Sequence, residues 1–181
     1  GFGNSLPDGL TALGGGIAFA ANDGLIGPEL WRSAGTSGGT VLTRRIQTTT
    51  LDSSPYELTE VGATVFFRAD DGIRGEELWK SDGTFSGTTL VKDIHAGAGD
   101  GNLRYLTNVN GTLLFRANDG VNGDELWRSN GTEVGTTLVR NINPTGNGFP
   151  QNFLNVGGIL YFPANDGTTG RELWRSNGTS S

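Results

Sequence analysis

The sequence of 181 residues contains no cysteine and no methionine, and its single histidine is His95. The absence of cysteine excludes a disulfide framework and a thiolate metal site. Basic residues are few, because 13 Lys and Arg stand against 19 Asp and Glu, which gives a formal net charge of −6. A charge of this sign disfavours nucleic acids and anionic membranes as partners.

Long apolar runs and helical patterns are also missing. No stretch approaches the apolar length of a transmembrane helix, so no membrane insertion is expected. No window shows apolar residues at helical spacing together with capping residues. Glycine, in contrast, is abundant at 31 residues, and an excess of glycine is typical of many tight turns. These features together favour a strand-rich chain.

One short phrase occurs four times in nearly the same form. It reads ELWRSAGT at 29–36, ELWKSDGT at 77–84, ELWRSNGT at 125–132 and ELWRSNGT at 172–179. The tryptophans at Trp31, Trp79, Trp127 and Trp174 are therefore 48, 48 and 47 residues apart. Fixed self-similarity of this period predicts repeated supersecondary units. We divide the chain, as one repeat domain over 1–181, into units at about 9–51, 52–103, 104–149 and 150–181.

The third unit shows how one repeat is built. It predicts strands over 106–109, 112–117, 125–129 and 136–142, separated by turns of Asn, Asp and Gly. Four short antiparallel strands at this period are typical of one blade of a β-propeller. A blade packs both faces on its neighbours, so we expect Leu126 and Trp127 both to be buried although they point to opposite faces. A β-helix, whose coils are shorter, and a single sandwich are the alternatives.

The fourth unit lacks a counterpart of the fourth strand. Strands are predicted over 153–156, 159–164 and 172–176, and the N-terminal stretch GFGNSLPD is a poor substitute because Gly, Asn and Pro dominate it. The sequence therefore predicts an all-β propeller of four blades whose last blade is incomplete. Its open strand edge would recruit partners. The chain would then be a fragment of a longer array, an imperfectly closed ring, or a unit that pairs with other copies.

The long phrases ELWKSDGTFSGTTLVKDI at 77–94 and ELWRSNGTEVGTTLVRNI at 125–142 resemble the ELWxxDGT repeat family. That family is found in large secreted or surface proteins of bacteria. The resemblance covers nearly the whole chain and implies a propeller-like, extracellular, repetitive protein without a defined catalytic activity. The first repeat departs most, with Ala34 at the turn position and the polar link QTTTLDSSPY after it.

An acidic turn follows the second predicted strand in every unit. Its members are Asp23, Asp71, Asp119 and Asp166, each followed by a glutamate at Glu29, Glu77, Glu125 or Glu172. The favoured interpretation is structural: the aspartates bond to their own turn backbone, and the glutamates pair with an arginine such as Arg68 or Arg116. The alternative is a calcium site, since adjacent oxygen ligands at a sharp turn suit a hard cation. No other cofactor is expected.

The four tryptophans are interpreted as structural core, because each occupies the same place in the middle of a strand. Side chains for ligand contact are expected in the loops that vary between units, since loops on a rigid scaffold carry function. The candidates are Tyr56, His95, Asn102, Arg104, Tyr105, Asn147, Phe149 and Gln151. A lone histidine without partners is seldom a catalyst.

The function expected from the sequence is a non-enzymatic binding module that is secreted or displayed at the cell surface. Equivalent loops on several blades would give a multivalent, lectin-like or adhesive protein whose weak single contacts gain by avidity. Its expected partners are glycans or surface proteins, with self-association or membership of a longer repeat array. The alternatives are a structural protein that completes a ring or fibre with other copies and, less favoured, a carbohydrate-active enzyme.

Overall fold

The structure is a computed structural model that describes residues 5–25, 27–47 and 52–179. Residues 48–51 of the polar link after the first repeat lie outside the described residues. The described residues form fifteen strands and no helix. No helix that could span a membrane is found in this part of the chain.

The strands form four sheets in chain order, and every strand pairs antiparallel with its sequence neighbour in the sheet. The first sheet contains β1 (Asp8–Leu13), β2 (Gly16–Asn22), β3 (Pro28–Ser33) and β4 (Thr40–Arg44). The second contains β5 (Tyr56–Val61), β6 (Thr64–Asp70), β7 (Glu76–Ser81) and β8 (Thr89–Lys92). The third contains β9 (Arg104–Val109), β10 (Thr112–Asn118), β11 (Asp124–Ser129) and β12 (Thr137–Arg140). The fourth contains β13 (Leu154–Val156), β14 (Ile159–Asn165) and β15 (Arg171–Ser176).

The all-β class and the division into four successive sheets are confirmed. The first strands of neighbouring sheets contact each other, β1 with β5, β5 with β9 and β9 with β13. The predicted strand over 136–142 is wrong at both ends, because β12 covers only Thr137–Arg140. It ends early because the N–H groups of Ile142 and Asn143 donate hydrogen bonds to the side chain of Glu125 and not to the neighbouring strand.

Apolar clusters fill the spaces between neighbouring sheets. The cluster between the second and third sheets joins Leu78, Val91 and Ile94 to Phe115 and Trp127. Clusters of the same kind lie between the first and second sheets and between the third and fourth. The second and third sheets therefore each contribute their tryptophan face to one cluster and their leucine face to the next. The prediction for Leu126 and Trp127 is confirmed, since their exposed fractions are 2% and 6%.

Burial at equivalent positions depends on whether a neighbouring sheet is present. Leu126 of β11 packs in the cluster between the third and fourth sheets. Leu173 occupies the same repeat position in β15, yet it is 75% exposed. Val156, which corresponds to Val109, is also exposed. The fourth sheet thus presents an apolar face that the first three sheets bury.

We expect Leu126→Ala to lower the free energy of unfolding by about 2–5 kcal/mol, because it removes a buried side chain and leaves a cavity. Leu173→Ala, the matched change at an exposed position, is expected to change it by less than about 0.5 kcal/mol. Urea denaturation followed by tryptophan fluorescence measures both. Equal losses in the two variants would contradict the burial pattern.

Candidate functional site

The chain has an unusual backbone where it enters the first strand of each sheet. Positive φ angles occur there at two positions per repeat: at Leu6, Ser54, Asn102 and Phe149, and again at Gly9, Glu57, Tyr105 and Asn152. The strand registers slip beside them between β1 and β2, β5 and β6, and β9 and β10. A non-glycine residue in this region is uncommon and costs energy, and such positions cluster at functional sites. We call this end of the sheets the bulge end.

A groove of about 610 Å³ lies at the bulge end between the first and second sheets. It is lined by Pro7, Asp8, Pro28, Tyr56, Arg68 and Glu76, among others. We call it the Tyr56 groove. Its aromatic wall is Tyr56, which is 50% exposed and whose ring centroid is 5.1 Å from the guanidinium carbon of Arg68. The strand register brings these two together, because Tyr56 of β5 is the Cα partner of Arg68 of β6.

In the Tyr56 groove, the side chains of Arg68 and Glu76 hold each other in place. Nη1 of Arg68 donates a hydrogen bond to Oε2 of Glu76. Nη1 of Arg104, from the next repeat, lies 3.9 Å from the same oxygen. The Arg68 side chain is only 14% exposed, and its Nε atom is buried without a hydrogen-bond partner. The groove therefore combines a half-exposed aromatic ring with a fixed carboxylate and fixed guanidinium groups.

A related cluster lies one repeat further along. The guanidinium carbon of Arg116 is 5.4 Å from the ring centroid of Tyr105. Nδ2 of Asn102 donates to Oδ1 of Asp124 at 2.6 Å. Arg116 and Asp124 occupy the repeat positions of Arg68 and Glu76, but Arg104 stands where the second sheet has Tyr56. Equivalent positions thus carry related and not identical chemistry.

The structure brings six of the eight predicted ligand residues to these two clusters. Tyr56 and Arg104 lie at Glu76, and Tyr105 lies at Arg116. Asn102, Asn147 and Phe149 gather around Asp124 through side-chain or backbone hydrogen bonds. The other two lie apart. The backbone N–H of Gln151 donates to the carbonyl of Pro163, and Nδ1 of His95 is 3.0 Å from the carbonyl of Asp100.

Sequence reasoning missed Arg68 and Glu76 as members of the candidate site. It singled out Arg68 and Arg116 only as partners of the repeated glutamates, and that pairing is wrong. Arg68 bonds instead to Glu76, the residue before Glu77. A signal was present in the sequence, because each arginine interrupts an otherwise apolar strand in FFRAD at 66–70 and LFRAN at 114–118.

The repeated glutamates act as acceptors for backbone N–H groups. Glu77 is fully buried and accepts from the backbone N of Ile94 at 2.7 Å and of His95 at 3.1 Å. Glu125 accepts from Ile142, Asn143 and Gly148 at 2.8, 3.2 and 2.8 Å. Burial raises the pKa of Glu77 to about 7, although the two backbone hydrogen bonds oppose the rise. Each glutamate thus ties the start of a third strand to the chain that leaves the fourth.

Glu29 and Glu172 complete the series. Glu29 is buried and accepts from the backbone N of Ile46 at 3.2 Å and from Oγ of Ser53 at 2.6 Å. Burial raises its pKa, as it does that of Glu125. Glu172 differs from the other three because it is exposed.

The repeated aspartates organise their own turns. Oδ1 of Asp71 accepts from the backbone N of Ile73 and of Arg74, both at 2.9 Å. Asp119 and Asp166 make the same pair of bonds, and Oδ1 of Asp23 accepts from Leu25. The N–H groups of Thr169 and Thr168 lower the pKa of Asp166 to about 2. Among the described residues, no group of three or more His, Cys, Asp or Glu side chains is placed to hold a metal ion.

Three of the four tryptophans lie in the packing between sheets. Trp79 and Trp127 are buried in the clusters on either side of the second sheet. Trp174 is half-buried against the third sheet. Nε1 of Trp31 donates to the carbonyl of Ala21 at 3.0 Å. None of the four lines the Tyr56 groove.

No protein-family model matches the chain, and no curated protein matches it. Among solved structures, the chain is similar to a protein of Bifidobacterium bifidum s17 named as an exo-beta-1,3-galactanase. The identity is 11% and the TM-score 0.43, over 93% of this chain and 66% of the other. At that level the likeness identifies neither a family nor an activity.

We expect Glu125→Gln to lower the free energy of unfolding by about 1–3 kcal/mol, because buried N–H donors lose a carboxylate acceptor. Glu172→Gln makes the same change at the exposed position and is expected to have little effect. Chemical denaturation of both variants at neutral pH is the measurement. A loss in Glu172→Gln as large as that in Glu125→Gln would contradict the assigned role.

A pH dependence follows from Glu77, whose pKa rises from its ordinary 4.5 to about 7 on folding. Between these values the folded chain holds a proton that the unfolded chain releases. The resulting stability is complete below about pH 4.5 and is lost as the pH rises through about 7. Denaturation at a series of pH values should show Glu77→Gln losing part of this slope, whereas Glu133→Gln, at an exposed site, keeps it. An unchanged slope in Glu77→Gln would contradict the assignment.

Proposed function

We propose that the chain is a lectin-like, non-enzymatic binding module that binds glycans in the Tyr56 groove. The observation that carries this proposal is the half-exposed Tyr56 ring beside the paired side chains of Arg68 and Glu76 in one concave site, which Asp8 also lines. Small-molecule sites are typically concave, with a few fixed polar groups that orient the ligand.

The chemistry of the groove suits a sugar. A pyranose has an apolar C–H face, which the Tyr56 ring can cover, and hydroxyl groups that need both donors and acceptors. Arg68 supplies donors, and Glu76 supplies an acceptor. Because Glu76 is bonded to Arg68 and packed near Arg104, these groups lose little freedom when a ligand binds.

The contacts of the Glu76 carboxylate fit a binding role better than a catalytic one. A glycosidase needs one carboxyl group that donates a proton and a second that attacks or activates water. In the Tyr56 groove the Glu76 carboxylate is bonded to one guanidinium group, with a second 3.9 Å away. Such neighbours engage the carboxylate as an acceptor of charge-assisted hydrogen bonds. We therefore propose binding without hydrolysis and without a cofactor.

The wider proposal follows the resemblance to the ELWxxDGT repeats. The four sheets are successive blades of a propeller-type repeat protein that is secreted or displayed at the cell surface. The Tyr56 groove and the cluster at Arg116 and Asp124 are two related sites on neighbouring blades. Weak contacts at the two sites would add through avidity, with glycans as the favoured partner and surface proteins as the alternative.

A glycan array probed with the purified chain tests this function. We expect discrete glycans to bind, and Tyr56→Ala to weaken their binding about tenfold or more, because aromatic anchors dominate binding energy. The matched control is Phe85→Ala, since Phe85 is also exposed and also lies against an arginine, with Arg44 5.2 Å from its ring centroid. That variant should bind as the parent chain does.

Two results would contradict the proposal. Equal weakening by Tyr56→Ala and Phe85→Ala would remove the Tyr56 groove as the site. Release of smaller sugars from a bound oligosaccharide, detected by mass spectrometry, would contradict the non-enzymatic part.

A further inference from the structure

The open space of the Tyr56 groove depends on two residues of the first sheet. Ala20 and Pro28 both line the groove. Ala20 lies two residues from Ala18, which packs in the cluster between the first and second sheets, so alternation along β2 turns both toward the second sheet. Ala20 and Pro28 carry no long side chain that could fill this space.

The equivalent positions of the second sheet carry longer, charged side chains. Arg68 and Glu76 occupy the repeat positions of Ala20 and Pro28, and Nη1 of Arg68 donates a hydrogen bond to Oε2 of Glu76. Nη1 of Arg104, from the third sheet, lies 3.9 Å from the same oxygen. Charged side chains thus stand in the second sheet at the positions that Ala20 and Pro28 leave open in the first.

Asp8 lies beside this open space. It lines the groove, and it is the Cα partner of Ala20 across β1 and β2. Oδ1 of its carboxylate accepts the backbone N–H of Gly9 at 2.8 Å. Among the described residues, the ion pairs at the groove involve Glu76, and none of them includes Asp8.

The groove therefore contains one negative charge that no cation balances. The Glu76 carboxylate is bonded to Arg68, and Arg104, the second cation near it, does not line the groove. A cationic group on a ligand would gain a charge-assisted hydrogen bond at Asp8. An anionic group would meet repulsion at the same carboxylate.

The groove also has the size and the apolar surface that a small cyclic ligand needs. Its volume of about 610 Å³ lies within the roughly 300–1,000 Å³ typical of small-molecule sites. The half-exposed Tyr56 ring offers an apolar face, and aromatic faces also attract ammonium groups. A ring with a C–H face and an ammonium group matches both features.

From these observations we infer that the Tyr56 groove is specific for amino sugars with a free ammonium group, an inference that rests on the glycan-binding function proposed above. The ammonium group donates to the Asp8 carboxylate, and the C–H face of the sugar lies on Tyr56. Acetylation of the sugar nitrogen removes the charge, so an N-acetylated sugar loses the contact with Asp8. Ala20 adds to the specificity, because a longer side chain there would close the groove.

Calorimetry with two oligosaccharides of equal length tests the inference on the full 181-residue chain. One is an oligomer of glucosamine, and the other is its N-acetylated form. We expect the glucosamine oligomer to bind about tenfold more tightly, because acetylation removes a hydrogen bond between charged groups. A higher salt concentration should reduce this preference, since salt screens exposed charges.

Asp8→Asn should abolish the preference for the glucosamine oligomer and leave weak binding of both oligomers. The matched control is Asp82→Asn, which removes the same charge from an exposed turn that does not line the groove. Asn130 and Asn177 stand at that turn position in the third and fourth repeats, so the turn accepts asparagine. This control should keep the preference.

Ala20→Arg should abolish the binding of both oligomers, because a guanidinium group would occupy the groove. Arg68 and Arg116 show that this strand position accepts arginine, so the variant is expected to fold. Urea denaturation confirms that the variant is folded before its binding is measured.

Three results would overturn the inference. They are equal binding of the two oligomers, an equal loss of preference in Asp8→Asn and Asp82→Asn, and tighter binding of a lysine oligopeptide than of the glucosamine oligomer. The second result would assign the preference to the net charge of −6, and the third would assign the groove to a basic peptide.

Failure of this inference can be told apart from failure of the proposed function. Equal binding of the two oligomers that Tyr56→Ala weakens would overturn the specificity for amino sugars and support glycan binding in the groove. If neither oligomer binds and no arrayed glycan binds, both proposals are wrong.

Discussion

In the first three sheets, a buried glutamate at the start of the third strand connects the parts of a repeat. Glu125 shows the connection most fully, because it accepts N–H groups from Ile142, Asn143 and Gly148. These groups leave the strand ladder, and without the carboxylate they would be buried donors without a partner. The same side chain therefore ends the fourth strand and turns the chain toward the next sheet. Burial raises the pKa of Glu77 to about 7, and the hydrogen bonds from Ile94 and His95 oppose that rise.

The parts of the fold that periodicity controls could be predicted from the sequence. Phe115, Leu126 and Trp127 recur at a fixed offset, and their burial follows from strand alternation between two covered faces. The length of β12 could not be predicted, because isoleucine is a residue type that is common in strands. Only the hydrogen bond from the N–H of Ile142 to Glu125 removes this residue from the ladder of strand hydrogen bonds. The bonding of the acidic turns could not be predicted for a similar reason. A pattern of acids at a turn does not show that the oxygens of Asp71 already accept backbone N–H groups.

The candidate site was predicted in part, and the difference again lies in long-range contacts. Loop variability pointed to Tyr56 and Arg104, since these are positions where the repeats disagree. It did not point to Arg68 or Glu76, which are strand residues, because the ion pair across β6 and β7 is visible only when the register is known. The bulge at the start of β5 follows Tyr56, which pairs with Arg68 and lies against it in the groove. The groove therefore depends on residues that differ between the repeats. The strands that carry these residues depend on the sequence that the repeats share.

The fourth sheet shows how far the sequence that the repeats share determines their structure. Glu172, Leu173 and Trp174 copy Glu125, Leu126 and Trp127, yet the first two are exposed and the third is only half-buried. The sequence of a repeat thus encodes the capacity to be buried, and the neighbouring strand and sheet decide whether that capacity is used.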